Sequence, residues 1–390
     1  MNPILPTSLR SPKRVEKPAP RCRLALFAAF LASFSLASAA DWPMHRGDPQ
    51  LQGRAAEPAP KQPDLKWTFK AGNPVHGSAA IVAGKVYFGD LGGVVHCVGL
   101  NDGKEVWAFK TESTIEATPL ILDGLCYVGA ADGKLYALDA ASGVKKWDHE
   151  TGDKILAGAS WCKDPDSSAK WVLVGSYDFS FYALDATTGK ELWKVETENF
   201  VNSTPAVTSD GLALFGGCDA VLHVVSLKER KEIRKIEAEA YIAASAAADG
   251  KMIYFGNEAK KVFAFDVTTG ASVWTYRDRL FPYYSSPAIN ADVVLIGGRD
   301  KRLHCINRKD GEKKWTFSAK ADVDSSPVLC SDGGIIFGSN DGRLYCVNLA
   351  DGQQRWNYEA GSPISGSPAV SGGRIVIGAE DGNLYCFGEK

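Results

Sequence analysis

Histidine and methionine are scarce in this 390-residue chain, with six and three copies, and its nine cysteines include no Cys-x-x-Cys and no adjacent pair. A zinc knuckle or a thioredoxin-type redox centre therefore lacks its ligand spacing. No His-x-x-x-His pair, Walker-type phosphate loop or Gly-x-Ser-x-Gly elbow occurs either, which leaves nucleotide cradles and hydrolase nucleophiles without their scaffolding. Basic clusters are also missing beyond residue 40. Because phosphate backbones are held mainly by Lys and Arg, nucleic acid is not an expected partner.

Charge is unevenly placed. Arg10, Lys13, Arg14, Lys17, Arg21 and Arg23 precede thirteen uncharged residues, Leu24 to Leu36, and then Ala37, Ser38, Ala39 and Ala40. That is the order of a secretory signal peptide with cleavage near Ala40, and the apolar stretch is short for a bilayer span. Removing residues 1–40 takes six of 44 basic and one of 46 acidic residues, leaving 38 against 45 and a net charge of −7. The expectation is a periplasmic or secreted chain with no transmembrane segment in its mature form and little attraction to anionic lipid.

Tryptophan is periodic. Trp67, Trp107, Trp147, Trp193, Trp274, Trp315 and Trp356 are spaced by 40 or 41 residues, apart from gaps of 46 and 81. The gap of 81 is two periods with one Trp missing. A second marker, small residues often followed by Pro, ends at Ala79, Pro119, Ser160, Pro205, Ala246, Pro287, Pro327 and Pro368. A period near forty with several short strands per copy means a propeller or solenoid, since one unit cannot bury its apolar face alone.

In the second copy, residues 120–122, 125–129, 134–139 and 144–147 are β-rich runs parted by Asp-Gly or Ser-Gly turns, which read as four antiparallel strands. The eighth copy stops at Phe387 before a fourth strand, and a spare strand stands at the other end, in Leu65-Lys66-Trp67-Thr68-Phe69. That strand would complete the last blade and remove the open sheet edges. The expected architecture is an all-β, eight-bladed propeller over residues 65–390, a monomer, preceded by the signal peptide and by a Pro- and Gly-rich extension over residues 41–64. Copy three carries an insertion, Lys163 to Lys170, expected as an exposed loop. Copy four reads Lys228 to Arg234 with neither Gly nor Trp, so a weaker contact between blades is expected there.

Six outer strands follow a Gly-x-x-x-Trp pattern, as in Leu184-Asp185-Ala186-Thr187-Thr188-Gly189-Lys190-Glu191-Leu192-Trp193. This resembles the pyrroloquinoline-quinone-type propeller repeat, in which the Trp packs between neighbouring blades; that resemblance gives the seven periodic tryptophans a structural role. The opening Asp41-Trp42-Pro43-Met44-His45-Arg46-Gly47 is similar to that of exported bacterial proteins built from the same repeat.

Repeat position also explains most cysteines and histidines. Cys97, Cys305, Cys346 and Cys386 share one slot, filled by Ala137, Ala183 and Ala264 elsewhere, so cysteine acts there as a small buried hydrophobe. Cys162 and Cys218, in adjacent blades, are the one pair considered for a disulfide. His96, His223 and His304 share a slot with Tyr136, Tyr182, Tyr345 and Tyr385, which suggests half-exposed strand residues and no metal site.

The resemblance implies two functions. Quinone enzymes of the family hold pyrroloquinoline quinone and calcium at the propeller axis, between a Trp and a vicinal disulfide, with a Glu and an Asn on the calcium and an Asp as base. The residues three before each small-residue marker are expected at the axis: His76, Glu116, Ala157, Asn202, Ala243, Tyr284, Asp324 and Ser365. Glu116, Asn202 and Asp324 are the candidates such a cofactor would use, but the vicinal cysteines are absent and Ala243-Ala244 stand where an acid would be sought. The other branch is the BamB-type propeller of the outer-membrane barrel-assembly machinery, a non-catalytic scaffold that binds an envelope protein. For that role the loop from Tyr276 to Tyr284 stands out, with Arg277, Arg279, Phe281, Tyr283 and Tyr284 as candidate contacts, since aromatic and Arg side chains dominate binding hot spots. A scaffold is the expected function and a quinone-dependent oxidoreductase the alternative. The BamB-type lipid anchor is not expected, because Asp41-Trp42 stand where its cysteine would be.

Overall fold

The computed structural model describes residues 41–390; the expected signal peptide, residues 1–40 with Cys22 and the cleavage site near Ala40, lies outside the described residues. Short runs of alternating or fully buried β-branched and aromatic residues are broken by turns that fix their own geometry. In the second blade, Asp139 Oδ1 accepts from the amides of Ala141 and Ser142, and Gly143 closes the turn at φ +74°. Asp185 and Gly189 repeat that turn in the third blade. A side chain that caps its own turn and a glycine free to adopt positive φ make the hairpin local.

Eight four-stranded antiparallel sheets result. Blade 1 runs from β2 (Ala80–Val82) to β5 (Glu105–Lys110), blade 2 from β6 (Leu120–Leu122) to β9 (Lys145–Glu150), and blade 3 from β10 (Ser160–Lys163) to β13 (Glu191–Glu196). Blade 4 runs from β14 (Ala206–Val207) to β17 (Lys231–Glu237), blade 5 from β18 (Ala247–Asp249) to β21 (Ala271–Tyr276), blade 6 from β22 (Ala288–Ile289) to β25 (Lys313–Ser318), and blade 7 from β26 (Val328–Leu329) to β29 (Gln354–Glu359). Blade 8 has three strands, β30 (Ala369–Ser371) to β32 (Asn383–Glu389), and its outer strand is β1 (Pro63–Lys70), antiparallel to β32 from Pro63↔Glu389 to Lys70↔Asn383. The ring closes as the strand arithmetic requires. In copy three the insertion forms an exposed hairpin loop, with the Asp164 amide bonded to the Ala169 carbonyl.

Seven of the eight joints between blades reuse the tryptophan. Trp67, Trp107, Trp274 and Trp315 donate Nε1–H to the carbonyls of Leu100, Ala140, Arg308 and Leu349 in the next blade, while Trp356 reaches Pro60 just ahead of β1. A Cβ at Gly103, Gly143, Gly189, Gly311 or Gly352 would lie under 3 Å from the preceding blade's ring, so these glycines give Trp a flat seat. Across the strand the Trp faces a small residue: Cys97, Ala137, Ala183, Ala264, Cys305, Cys346 or Cys386. The slot cysteines are thus spacers beside an indole.

Copy four departs from expectation. Arg234 occupies the Trp slot, opposite Val224, and its guanidinium donates to the carbonyls of Thr268 and Thr269 while lying against Gly270. A planar side chain with paired donors replaces the indole, so the joint to blade 5 is bonded after all. The joint to blade 3 changes as well: Arg230 sits where glycine serves elsewhere, at φ +56°. Among the described residues buried Trp193 Nε1 has no hydrogen-bond partner, and neither has Trp147 Nε1, whose ring keeps its glycine.

The extension lies across the face that carries the turns between the first and second strands of the blades. Trp42 exchanges two backbone bonds with Ile81, and the carbonyls of Pro43, Pro49, Gln50, Gln52 and Gly53 accept the inner-strand amides of Ile121, Val207, Ala248, Ile289 and Leu329. Fully buried Arg46 is held by the carbonyls of Ser326, Pro287 and Pro327, and Gly53, at φ +64°, leaves room that any Cβ would take from its guanidinium. Burial, offset only in part by the nearby Asp48 carboxylate, lowers the Arg46 pKa to about 9, still charged at neutral pH.

Candidate functional site

The inner strands leave a cavity of about 180 Å³ on the ring axis. His76, Glu116, Ala157, Asn202, Ala243 and Tyr284 line it, as the sequence slot predicts, and His45 of the extension contributes from the opposite side. Burial first, and then the Arg46 charge, hold the His45 imidazole well below the usual histidine range. The ring keeps part of its surface on the cavity, which moderates the shift without changing its sign, so it is neutral at neutral pH.

Deeper in, hydroxyls form a hoop. The amides of Ser78, Thr204, Ser245, Ser286 and Ser326 donate to Oγ of Thr118, Ser245, Ser286, Ser326 and Ser367 of the next blade. These hydroxyls serve the ring itself. The outer slot residues are engaged in the same way. His76 pairs with Glu380 at 2.8 Å, and Ser365 bonds to the same carboxylate. Asp324 takes two bonds from Arg299, at 3.0 and 3.1 Å, and one from Asn340. Arg299 in turn stacks on Tyr284, whose hydroxyl donates to Glu258.

Among the three cofactor candidates, Asp324 is tied into that lateral network and is not among the residues lining the cavity. Glu116 is exposed at the mouth, and Asn202 lies in the cavity wall with its amide nitrogen 3.5 Å from Cys218 Sγ and its carbonyl oxygen without a partner among the described residues. The space is below the roughly 300 Å³ at which small-molecule pockets begin. Quinone and calcium therefore do not fit the side chains as they stand: volume is short, the candidate acid is locked, and no vicinal cysteine pair flanks the axis.

The face opposite the extension carries the loops between blades. Arg277, Arg279, Leu280 and Phe281 are exposed there, Phe281 by 48%. Tyr283 is not: it is 1% exposed, packed between blades against His304, and Tyr284 turns to the axial mouth. Burial removes Tyr283 from any docking surface. Sequence reasoning missed the rest of this patch. Phe179 is 42% exposed at φ +69°, in a turn slot held by Gly93, Gly133, Gly342 and Gly382 in four other blades and by Ala220, Lys260 and Lys301, also at positive φ, in the other three. A bulky residue at positive φ is strained, and an aromatic in a glycine slot was the signal available. Phe200 packs against both Phe179 and Tyr177, and Tyr241 is exposed on the next loop. An apolar arc runs from blade 3 to blade 6.

All eight described cysteines are free. Cys162 is buried beside the extension at Pro49 and Gln50, whereas Cys218 is at the cavity mouth beside Asn202, so this pair forms no bridge. The His and Tyr slot, expected half-exposed, is buried. Tyr136, Tyr182, Tyr345 and Tyr385 each donate to the turn aspartate four residues earlier, and His96, His223 and His304 reach Asp90, Asp219 and Asp300. Blade 5 has Phe263 there, and Ala259 four residues earlier in place of the acid.

No curated protein matches the chain by sequence. Among solved structures, BamB from Moraxella catarrhalis is 20% identical, with 84% of this chain and 98% of that one covered and a TM-score of 0.69. Quinohemoprotein alcohol dehydrogenase from Comamonas testosteroni is 14% identical over 90% of this chain and 81% of that one, at 0.76. The computationally designed Ika8 protein is 15% identical over 83% and 98%, at 0.73. At such identities the likeness is one of fold, and it spans an assembly protein, an enzyme and a design alike. The family model described as outer membrane protein assembly factor BamB is more specific, matching residues 60–276 and 299–389, and the chain belongs to that family.

Proposed function

We propose that this protein is a non-catalytic scaffold of the cell envelope that docks a protein of the outer-membrane assembly machinery on the loop arc of blades 3 to 6. The observation that carries this reading is Phe179, an exposed aromatic kept in a strained turn slot and buttressed by Phe200 and Tyr177. Packing alone gives no reason for an aromatic there, because glycine serves the same turn in four other blades and Ala220, Lys260 or Lys301 in the other three. Leu280 and Phe281 extend the surface, Arg277 and Arg279 border it, and exposed aromatics with Arg are the residue types that anchor interfaces. The small axial cavity and the engaged side chains around it support a scaffold over a quinone enzyme.

A photo-reactive residue placed at Phe281 in cells is expected to cross-link an outer-membrane assembly component, and Phe179→Ser with Leu280→Asp is expected to abolish the adduct. Failure to recover any such component would sink the proposal. So would a bound-quinone absorbance with dye-linked alcohol oxidation after purified protein is supplied with pyrroloquinoline quinone and calcium.

A further inference from the structure

Between blades 5 and 6, away from the axis, Asp278, Asp300 and His304 each bring one ligand-type atom to within 4.8 Å of the others. The Asp300 and His304 side chains are 2% and 0% exposed, and that of Asp278 is 16% exposed. We infer that this cluster is a binding site for a single divalent cation of the zinc class, held by two carboxylates and one imidazole.

The repeat separates what the fold requires from what is extra. Asp300 and His304 are this blade's version of the pairing between strand and turn seen in six others. Asp278 is not. It follows Tyr276 by two residues, and the matching positions in the other blades hold Ala71, Thr111, Thr151, Thr197, Ala238, Ala319 and Ala360. Seven blades close this corner with Ala or Thr, so the buried acid serves no common structural need.

The other histidine blades supply the contrast. His96 and His223 have a carboxylate on each nitrogen, Asp90 with Glu105 and Asp219 with Glu232, on opposite edges of the ring. In blade 6, Nδ1 of His304 is engaged by the Tyr276 hydroxyl at 3.0 Å, and Nε2 lies 3.0 Å from Asp300 Oδ1. A hydrogen bond on one imidazole nitrogen that orients the other toward acids is how metal-binding histidines are set. Buried Oδ2 of Asp278 and Oδ2 of Asp300 have no hydrogen-bond partner among the described residues. Two buried carboxylate oxygens without donors call for a cation.

Lys313 holds the other Asp278 oxygen at 2.9 Å, and the Arg302 guanidinium lies 3.9 Å from Oδ2. Neither supplies the missing bond. Lys313 is on Oδ1 and Arg302 stays beyond hydrogen-bond distance of Oδ2, so a metal between Asp278, Asp300 and His304 would add to them. One imidazole and two carboxylates suit zinc, with water as a fourth ligand. Bound there, the ion would tie the start of the Tyr276 to Tyr284 loop to blade 6. Asp278 lies outside the matched family segments and Asp300 and His304 inside them, and the inference does not depend on the docking role.

The test adds zinc to chelator-stripped full-length protein, with calorimetry and elemental analysis after dialysis. The expected result is about one equivalent bound per chain, with a higher midpoint of thermal unfolding. Asp278→Ala puts in the residue that four other blades use; it should fold, be at least as stable without metal, and lose zinc binding. His304→Tyr puts in the residue of four other blades, able to lock Asp300, and should also fold without binding zinc. Absence of stoichiometric zinc in the native chain, or unchanged binding in both variants, would overturn the assignment.

Discussion

His223 carries two jobs in one buried slot. Burial pushes its imidazole down, but hydrogen bonds to Asp219 and Glu232 outweigh that and hold its pKa above the usual histidine value. Burial is the largest influence on Asp219 and raises it, but the His223 hydrogen bond and charge together with backbone amides outweigh it, leaving the carboxyl below its usual range. A folded-state pKa above about 6.5 means the histidine's contribution is complete below that pH and lost as pH rises through the raised value. The aspartate's contribution is present above about pH 4 and lost as pH falls through its lowered value. The pair thus helps most between about pH 4 and 6.5. His223→Tyr, copying Tyr182 on Asp178, should fold and remove the loss of stability above that window. Urea unfolding of both proteins at pH 6 and pH 8.5 checks this, and an equal fall in the two would contradict it. Slots were legible from the sequence, but not their contents' partners: His and Tyr alternate because both reach an acid of the preceding turn, four residues back in six blades and six back for His96, and that reach depends on side-chain direction. Arg234, 41 residues after Trp193 and 40 before Trp274, was visible by spacing alone, yet an Arg reads as a Trp substitute only once its donors are seen to find carbonyls.

At the scale of elements, strands and turns were legible because each hairpin is specified locally, by an Asp that caps its own turn and a Gly that closes it. The extension was not. Its main anchors are backbone carbonyls, which carry no residue signature, and its buried side-chain anchor Arg46 donates to carbonyls too. Its bonds go to blades 1, 2, 4, 5, 6 and 7, which makes residues 41–62 a strap across the ring. A chain beginning at residue 60 should therefore expose the amides of Ile81, Ile121, Val207, Ala248, Ile289 and Leu329, each losing a bond worth about 0.5–1.5 kcal/mol. Hydrogen exchange should report faster exchange at those six positions and little change in the middle strands of the blades. Equal protection with and without the strap would mean that inner-strand stability comes from the hydroxyl hoop alone.

For the whole molecule, the repeat count left one strand over at one end and one short at the other, so closure could be foretold without coordinates. Function could not, because the same ring serves an assembly factor, a dehydrogenase and a design, and what separates them is loop chemistry that a repeat pattern averages away. Phe179 is the one aromatic in its slot and Asp278 the one acid in its own, and agreement between copies hides both. Closure has a cost in order: β1 must find β32 from more than three hundred residues away before blade 8 is complete. Until it does, β32 presents a full row of unpaired backbone groups, and such an edge invites another chain. A variant beginning at residue 72, lacking both strap and β1, should self-associate as its concentration rises, seen by light scattering after size exclusion. A permutant that carries residues 63–70 after Lys390 on a short linker should restore the edge strand within blade 8 and stay monodisperse even though the strap is missing. If the shortened chain behaves as the permutant does, the edge of β32 is protected by something other than β1, and the ring does not depend on the strand that Trp67 marks.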